Sequence, residues 1–244
     1  DKRMEIYIMG IIFVALVLVI ARKNGLKALF ALIVTVAFIV KVFIPAVFNG
    51  YSPILFAVIT AIFSSLVTIY YTVGMNKKFF VSLFGVIGGV VVAGILSYIF
   101  TYRMRLNGFL DSDLLASAYL LKNIKIKELI PAGVIIGSLG AVMDVAVSIT
   151  SSINELHETD PNMSKKSMFK SAINIGNDII GTMINTLILA YIASSIFTLL
   201  LIYIQANEYP LIRILNFQDI AVEIMRSICG SIGILIAVPL TAYI

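Results

Sequence analysis

The chain has 244 residues, 60% of them hydrophobic and only 13% charged, with a net charge of +5. Soluble domains carry about 25% charge and about 45–50% apolar residues, so this composition excludes a water-soluble enzyme or nucleic-acid binder. Cys229 is the only cysteine and His157 the only histidine, which excludes a disulfide scaffold and a zinc centre of His/Cys type.

Runs of about 20 mostly apolar residues read as membrane spans, and the order of such runs predicts an all-α, polytopic transmembrane helical bundle. Seven spans are expected, near 6–21, 28–48, 53–74, 79–101, 130–153, 174–204 and 220–243. Helices are the only choice, because an open sheet leaves backbone groups unpaired in lipid. Arg22, Lys23 and Lys27 separate the first two runs, while Lys41 and Pro45 interrupt the second. Lys41 is expected to snorkel outward. Lys77–Lys78 and Lys165–Lys166–Lys170 close later runs, and with seven spans all three basic loops fall on one side, which the positive-inside rule assigns to the cytoplasm. Between the fourth and fifth spans, Asp111 and Asp113 precede an apolar stretch too short to cross. It predicts an interfacial or re-entrant helix near 111–123. The chain opens on Asp1-Lys2-Arg3 directly ahead of a span, so further sequence upstream is expected.

Polar residues inside the spans carry the functional signal. An ionisable group there costs about 2.5–3.5 kcal/mol on insertion scales. In the fifth run Gly133, Gly137, Gly140, Asp144, Ser148, Ser151 and Glu155 recur every three or four residues and share one helical face. In the sixth, Asn174, Asp178, Gly181, Thr182 and Asn185 do the same, with Asn177 and Thr186 beside them. Counting from the intervening turn puts Asp144 level with Thr182 and Asp178 level with Ser148. The expected result is an oxygen-rich pocket between the two helices, formed by Asp144, Ser148, Asp178, Thr182 and Asn185. Such oxygens suit a hard cation or a proton relay. The plain alternative is that these residues only hold helices together. In the seventh run Glu223 and Arg226 stand at i,i+3, which predicts a self-compensating pair near the membrane edge, with gating as its second role. Gly137, Gly140, Gly181, Gly230 and Gly233 are expected to let helix backbones approach closely.

Three stretches carry a family resemblance: 140–149 (GAVMDVAVSI), 176–191 (GNDIIGTMINTLILAY), and 223–233 (EIMRSICGSIG) with 237–241 (AVPLT). In these the sequence resembles the YibE/F family of bacterial multi-pass membrane proteins. The resemblance implies a plasma-membrane location, in a bacterium of Gram-positive type, and an extracytoplasmic region ahead of the spans. It also implies a basic residue at position 177, where this chain has Asn. It implies no mechanism.

The leading functional expectation is therefore a transporter or permease with a cation- or proton-binding carboxylate site, with no cofactor and no nucleic-acid partner. The alternative is a non-transporting membrane partner or scaffold subunit, either docked to another chain or self-associated as a homo-oligomer. Intramembrane aspartyl proteolysis, which needs two carboxylates sharing a proton, is the third reading. Asn177 stands where presenilin-like proteases carry glycine, and Met143 where they carry tyrosine.

Overall fold

A computed structural model describes residues 2–106, 124–205 and 215–243. The described residues are helical throughout, apart from short turns. They form α1 (Lys2–Phe38), a π-helical turn at Ile39–Phe43, α2 (Ile44–Phe48), α3 (Pro53–Val73) and α4 (Lys77–Arg103). After these come α5 (Ile126–Thr159), α6 (Lys165–Ser194), α7 (Ile196–Gln205) and α8 (Gln218–Tyr243). The helix expected near 111–123 lies outside the described residues.

Among the described residues six helices, not seven, are long and apolar enough to cross a membrane. The difference arises at the front of the chain. The spans expected at 6–21 and 28–48 fall in one continuous stretch of 45 residues, Met4–Phe48, in which two helices meet at a kink rather than a loop. Charge alone does not stop a helix: Arg and Lys are good helix formers, and no proline lies between positions 6 and 44. What the basic cluster supplies instead is a bend. Arg22 adopts φ 46° and ψ −124° inside the run. In a straight helix residues 17 and 25 would stand about 12 Å apart. Here a Cβ on Gly25 would lie 2.5 Å from the Val17 carbonyl oxygen, so the axis turns sharply and only glycine fits. Before the bend the side chains are exposed apart from Val17, whereas after it the helix packs on α3. Thr35 and Ser64 hydroxyls are 3.1 Å apart, and Phe38 stacks on Phe63 at 4.2 Å. The π turn that follows has a cause in Pro45. Proline has no N–H to give the Lys41 carbonyl, so the regular ladder fails there and the helix widens.

The later helices have ordinary start signals. Ser52 accepts a hydrogen bond from the Leu55 N–H ahead of Pro53, Asn76 from Phe79 and Ser164 from Ser167. Gly74, at φ 81°, closes α3 in a conformation that side chains disfavour.

The centre of the bundle is the trio α4, α5 and α8; α3 and α6 pack against α5, and α1 against α3. The α4 glycines make this possible. A Cβ on Gly89 would lie 2.6 Å from the Gly233 carbonyl oxygen, and one on Gly233 would lie 2.9 Å from the Gly89 oxygen, so α4 and α8 touch backbone to backbone. Lipid is as apolar as the core, so close packing of this kind, rather than escape from water, holds the helices together. A buried hydroxyl relay adds to it: Ser82 donates to Thr150 at 3.0 Å, and Thr150 to the Ala146 carbonyl at 2.7 Å. Ser82→Ala is expected to cost about 0.6 kcal/mol, the mean for an interhelical hydrogen bond in a membrane, and at most about 1.7. Unfolding of the purified protein in mixed detergent measures it.

The described ends of the helices sort the charges. Lys77, Lys78, Lys165, Lys166 and Lys170 lie at one end of the bundle, where α4 begins and α5 turns into α6. Phe30 packs on Tyr71, near the end of α3, so Lys27 belongs to that end too. Arg103, Arg105, Lys125 and Lys127 lie at the other end, beside the start of α8.

Candidate functional site

Two contacts set the register between α5 and α6. A Cβ on Gly137 would lie 2.5 Å from the Tyr191 hydroxyl, and one on Gly176 would lie 3.3 Å from Ile149 Cδ1. The helices are antiparallel, with Asp144 level with Thr182 and Asp178 level with Ser148, the depths that counting from the turn predicts.

The side chains, however, do not converge. Asp144, Ser148, Asn177, Asp178, Thr182, Asn185 and Thr186 are all exposed on the outer surface of the bundle. On α6 the buried positions are Ala172, Gly176 and Leu187, and Asp178, Thr182 and Asn185 lie across the helix from them. The Thr182 and Thr186 hydroxyls donate to carbonyls of their own helix, Ile179 and Thr182. Among the described residues no hydrogen bond joins Asp144, Ser148, Asp178 or Asn185 across the hairpin. The pocket expected between α5 and α6 is therefore not built inside the chain. The reason lies in α5, which α3, α4, α6 and α8 surround. Its faces toward them carry Val142, Val145, Ala146 and Ile149, and the polar stripe takes the side left over. Gly140 and Gly181, on that same outer side, have nothing within 4 Å of an added Cβ. Asp144 and Asp178 stand four residues apart in level, about 6 Å, and share no hydrogen bond. A dyad sharing one proton gains no support from this.

A second polar group is built into the opposite end of the bundle, where Arg226 donates to Glu223 at 2.8 Å. Each side chain is about one-fifth exposed, at 20% and 19%. The i,i+3 pair was legible in the sequence, but its surroundings were not. The Arg226 guanidinium lies over Gly133 of α5, 3.5 Å from where a Cβ would sit. Tyr191 of α6 reaches over Gly137. So two glycines of the α5 stripe serve as seats for side chains from α6 and α8. Gly230 packs on Leu187 and Ser138, and Gly233 on Gly89. Tyr191 gave no sequence signal, because it falls inside the span expected at 174–204 and off its polar stripe.

Three enclosed polar atoms of this group have no hydrogen-bond partner among the described residues: Tyr191 Oη, Glu223 Oε2 and Arg226 Nε. Tyr191 and Glu223, but not Arg226, are also among the residues around a cavity of about 210 Å³ between the end of α6, the start of α7 and the first turns of α8. Asp144 is eleven residues of α5 from Gly133, about 16 Å, so this group and the acidic stripe are separate places. Among the described residues no cluster of His, Cys, Asp and Glu has the form of a metal site.

Comparison with known proteins gives one result. No curated protein and no solved structure matches the chain. The family model described as YibE/F-like protein matches residues 9–244. With six candidate spans among the described residues and a match over nearly its whole length, this multi-pass membrane protein belongs to the YibE/F-like family.

Proposed function

We propose that this protein moves a cation or protons across the bilayer as one subunit of a larger membrane assembly. Asp144 and Ser148 of α5, with Asp178, Thr182 and Asn185 of α6, form its share of the path, and Asn177 and Thr186 flank them. The observation that carries the reading is the outward direction of these groups at membrane depth. Facing lipid, each carboxylate costs about 2.5–3.5 kcal/mol. A neighbouring subunit that covers them, with water or an ion between, removes that cost.

Lys41 argues that the neighbour is a second copy. It is exposed in the π turn and has no ion pair among the described residues. The Phe38–Phe63 stack sets Lys41 near the level of Thr60. Ala61, Val90 and Leu139 border one small cavity, which carries that level across to α5. Lys41 then lies about one and a half helical turns, roughly 8 Å, from the level of Asp144. Rotation about the membrane normal keeps depth constant, so Lys41 of one copy and Asp144 of the next are in reach of each other. Glu223 and Arg226 are too distant to gate this path and have no part in it.

The test is flux into proteoliposomes holding the full chain, with a pH-sensitive dye for protons and with sodium or potassium as imposed cations. Asp144→Asn is expected to reduce flux at least tenfold, and Asp178→Asn to reduce it less. The outward stripe equally favours a non-transporting subunit. Absence of flux for each of these ions, together with stable copurification of a different membrane protein, decides for that second reading.

A further inference from the structure

The outward polar stripe is wet at one end only. On α5 it runs from Glu155 through Ser151 and Ser148 to Asp144, about 16 Å along the helix. On α6 it runs from Asn174 through Asp178 and Thr182 to Asn185 and Thr186. Beyond that level the same two faces turn apolar. α6 continues with Leu189 and Ile192, 62% and 45% exposed. On α5 the only exposed positions between Ile130 and Met143 are Gly140 and Gly137, and Gly137 lies beneath the Tyr191 hydroxyl. We infer that Asp144 exchanges protons through a one-sided inlet, open at the lysine-rich end of the bundle and closed at the other by Leu189, Ile192 and Tyr191. This rests on the reading that a second copy covers the stripe, and it adds the direction of the path and its cargo.

The direction follows from what water requires inside a membrane. Each water needs two to four polar partners, and these two faces supply them from the lysine-rich end as far as Thr186. From the opposite end of α5, Ile126 to Asp144 is about 27 Å, past glycines and apolar side chains. The cargo follows from the charges. α3 carries none, and α4 and α8 carry theirs near their ends, at Lys77, Lys78 and Arg103 and at Asp219, Glu223 and Arg226. On the striped faces Glu155 and Lys170 stand at the mouth, with Asp178 and Asp144 deeper. The two aspartates share no hydrogen bond, and among the described residues no acidic group has the form of a metal site. A calcium ion takes six to eight oxygens, whereas a proton needs one carboxylate. A hydronium gives its proton to the Asp144 carboxylate, leaving water and a neutral acid, and the reverse step releases it. A metal ion at Asp144 would also meet the Lys41 ammonium of the next copy.

The experiment places single cysteines in the full chain on a Cys229→Ser background. A membrane-impermeant methanethiosulfonate is added to one face of oriented proteoliposomes at a time. Asn162→Cys, in the exposed turn between α5 and α6, marks the lysine-rich side. Ser151→Cys, Ser148→Cys and Thr182→Cys are expected to react from that side at least tenfold faster than from the other. Leu189→Cys and Ile192→Cys are expected to react from neither. Dicyclohexylcarbodiimide, which attaches to a protonated carboxyl, is expected to label Asp144 with no protection by sodium or potassium, and Asp144→Asn to lose the label. Equal reaction of the stripe from both sides, or reaction at Leu189→Cys from the far side, overturns the inlet and leaves the covered path standing. Protection by either metal ion overturns the proton as cargo. No reaction at Ser148→Cys, Ser151→Cys and Thr182→Cys from either side overturns the covered path itself, and the inlet with it. Should Cys229→Ser fail to fold, the native background serves, because Cys229 is buried.

Discussion

Arg226→Met is expected to destabilise the bundle by about 3 kcal/mol, the lower end of the range for breaking one half of a buried ion pair. The lower end applies because both side chains keep about one-fifth of their exposure. Most of the loss comes from Glu223, whose carboxylate would stay enclosed beside the unpartnered Tyr191 hydroxyl with no counter-charge. Glu223→Gln leaves Arg226 in the matching position over Gly133. The double variant Glu223→Gln/Arg226→Met removes both charges and is expected to recover more than half of the single loss, since a pair can often be replaced by neutral residues at little cost. Unfolding midpoints of the four proteins in lipid nanodiscs form the cycle that measures the coupling. Singles that each lose under about 0.5 kcal/mol, with an additive double, would show that the pair is wet and structurally idle.

Gly89→Val is expected to cost at least about 3 kcal/mol, the top of the usual range for overpacking. The obstacle is the Gly233 carbonyl oxygen, 2.6 Å from the new Cβ, with Val142 at 2.9 Å and Ala237 at 3.0 Å behind it. Backbone cannot rotate aside as a side chain does, so α4 and α8 must separate. Gly233→Val meets the Gly89 oxygen from the other side and should cost a similar amount. Gly181→Val is the control. An added Cβ there meets nothing within 4 Å, so folding of the single chain should be almost unaffected. If the second-copy reading is right, Gly181→Val weakens self-association instead, as crosslinking in native membranes would show.

Much of this protein was legible without coordinates. The spans near 53–74, 79–101, 130–153 and 220–243 correspond to α3, α4, α5 and α8. The levels of Asp144 and Asp178 followed from counting along two helices, because rise per residue is nearly constant. The i,i+3 pair of Glu223 and Arg226 followed from helical geometry alone. At the front of the chain the basic cluster marks a break, but not the loop that the charges predict. Two helices meet there at a kink without a loop, set by the backbone of Arg22 and the room at Gly25. The sixth run also reads differently in three dimensions. α6 stops at Ser194, and a separate short helix carries the apolar stretch onward.

What the sequence alone decided was that the chain is helical, that it spans a membrane, and which family it belongs to. Lipid leaves an unpaired backbone group no partner, so a long apolar run has one solution and composition reveals it. The tertiary structure alone decided which side of each helix faces its neighbours. In water a polar stripe marks the outside; in a membrane both the lipid and the protein interior are apolar, so periodicity finds the stripe without saying where it points. The stripe of Asp144 and Ser148 turned outward because α5 was already enclosed on its apolar sides. Gly133 and Gly137, on that stripe's helix, became the seats for Arg226 and Tyr191, since only packing tells an empty glycine from an occupied one.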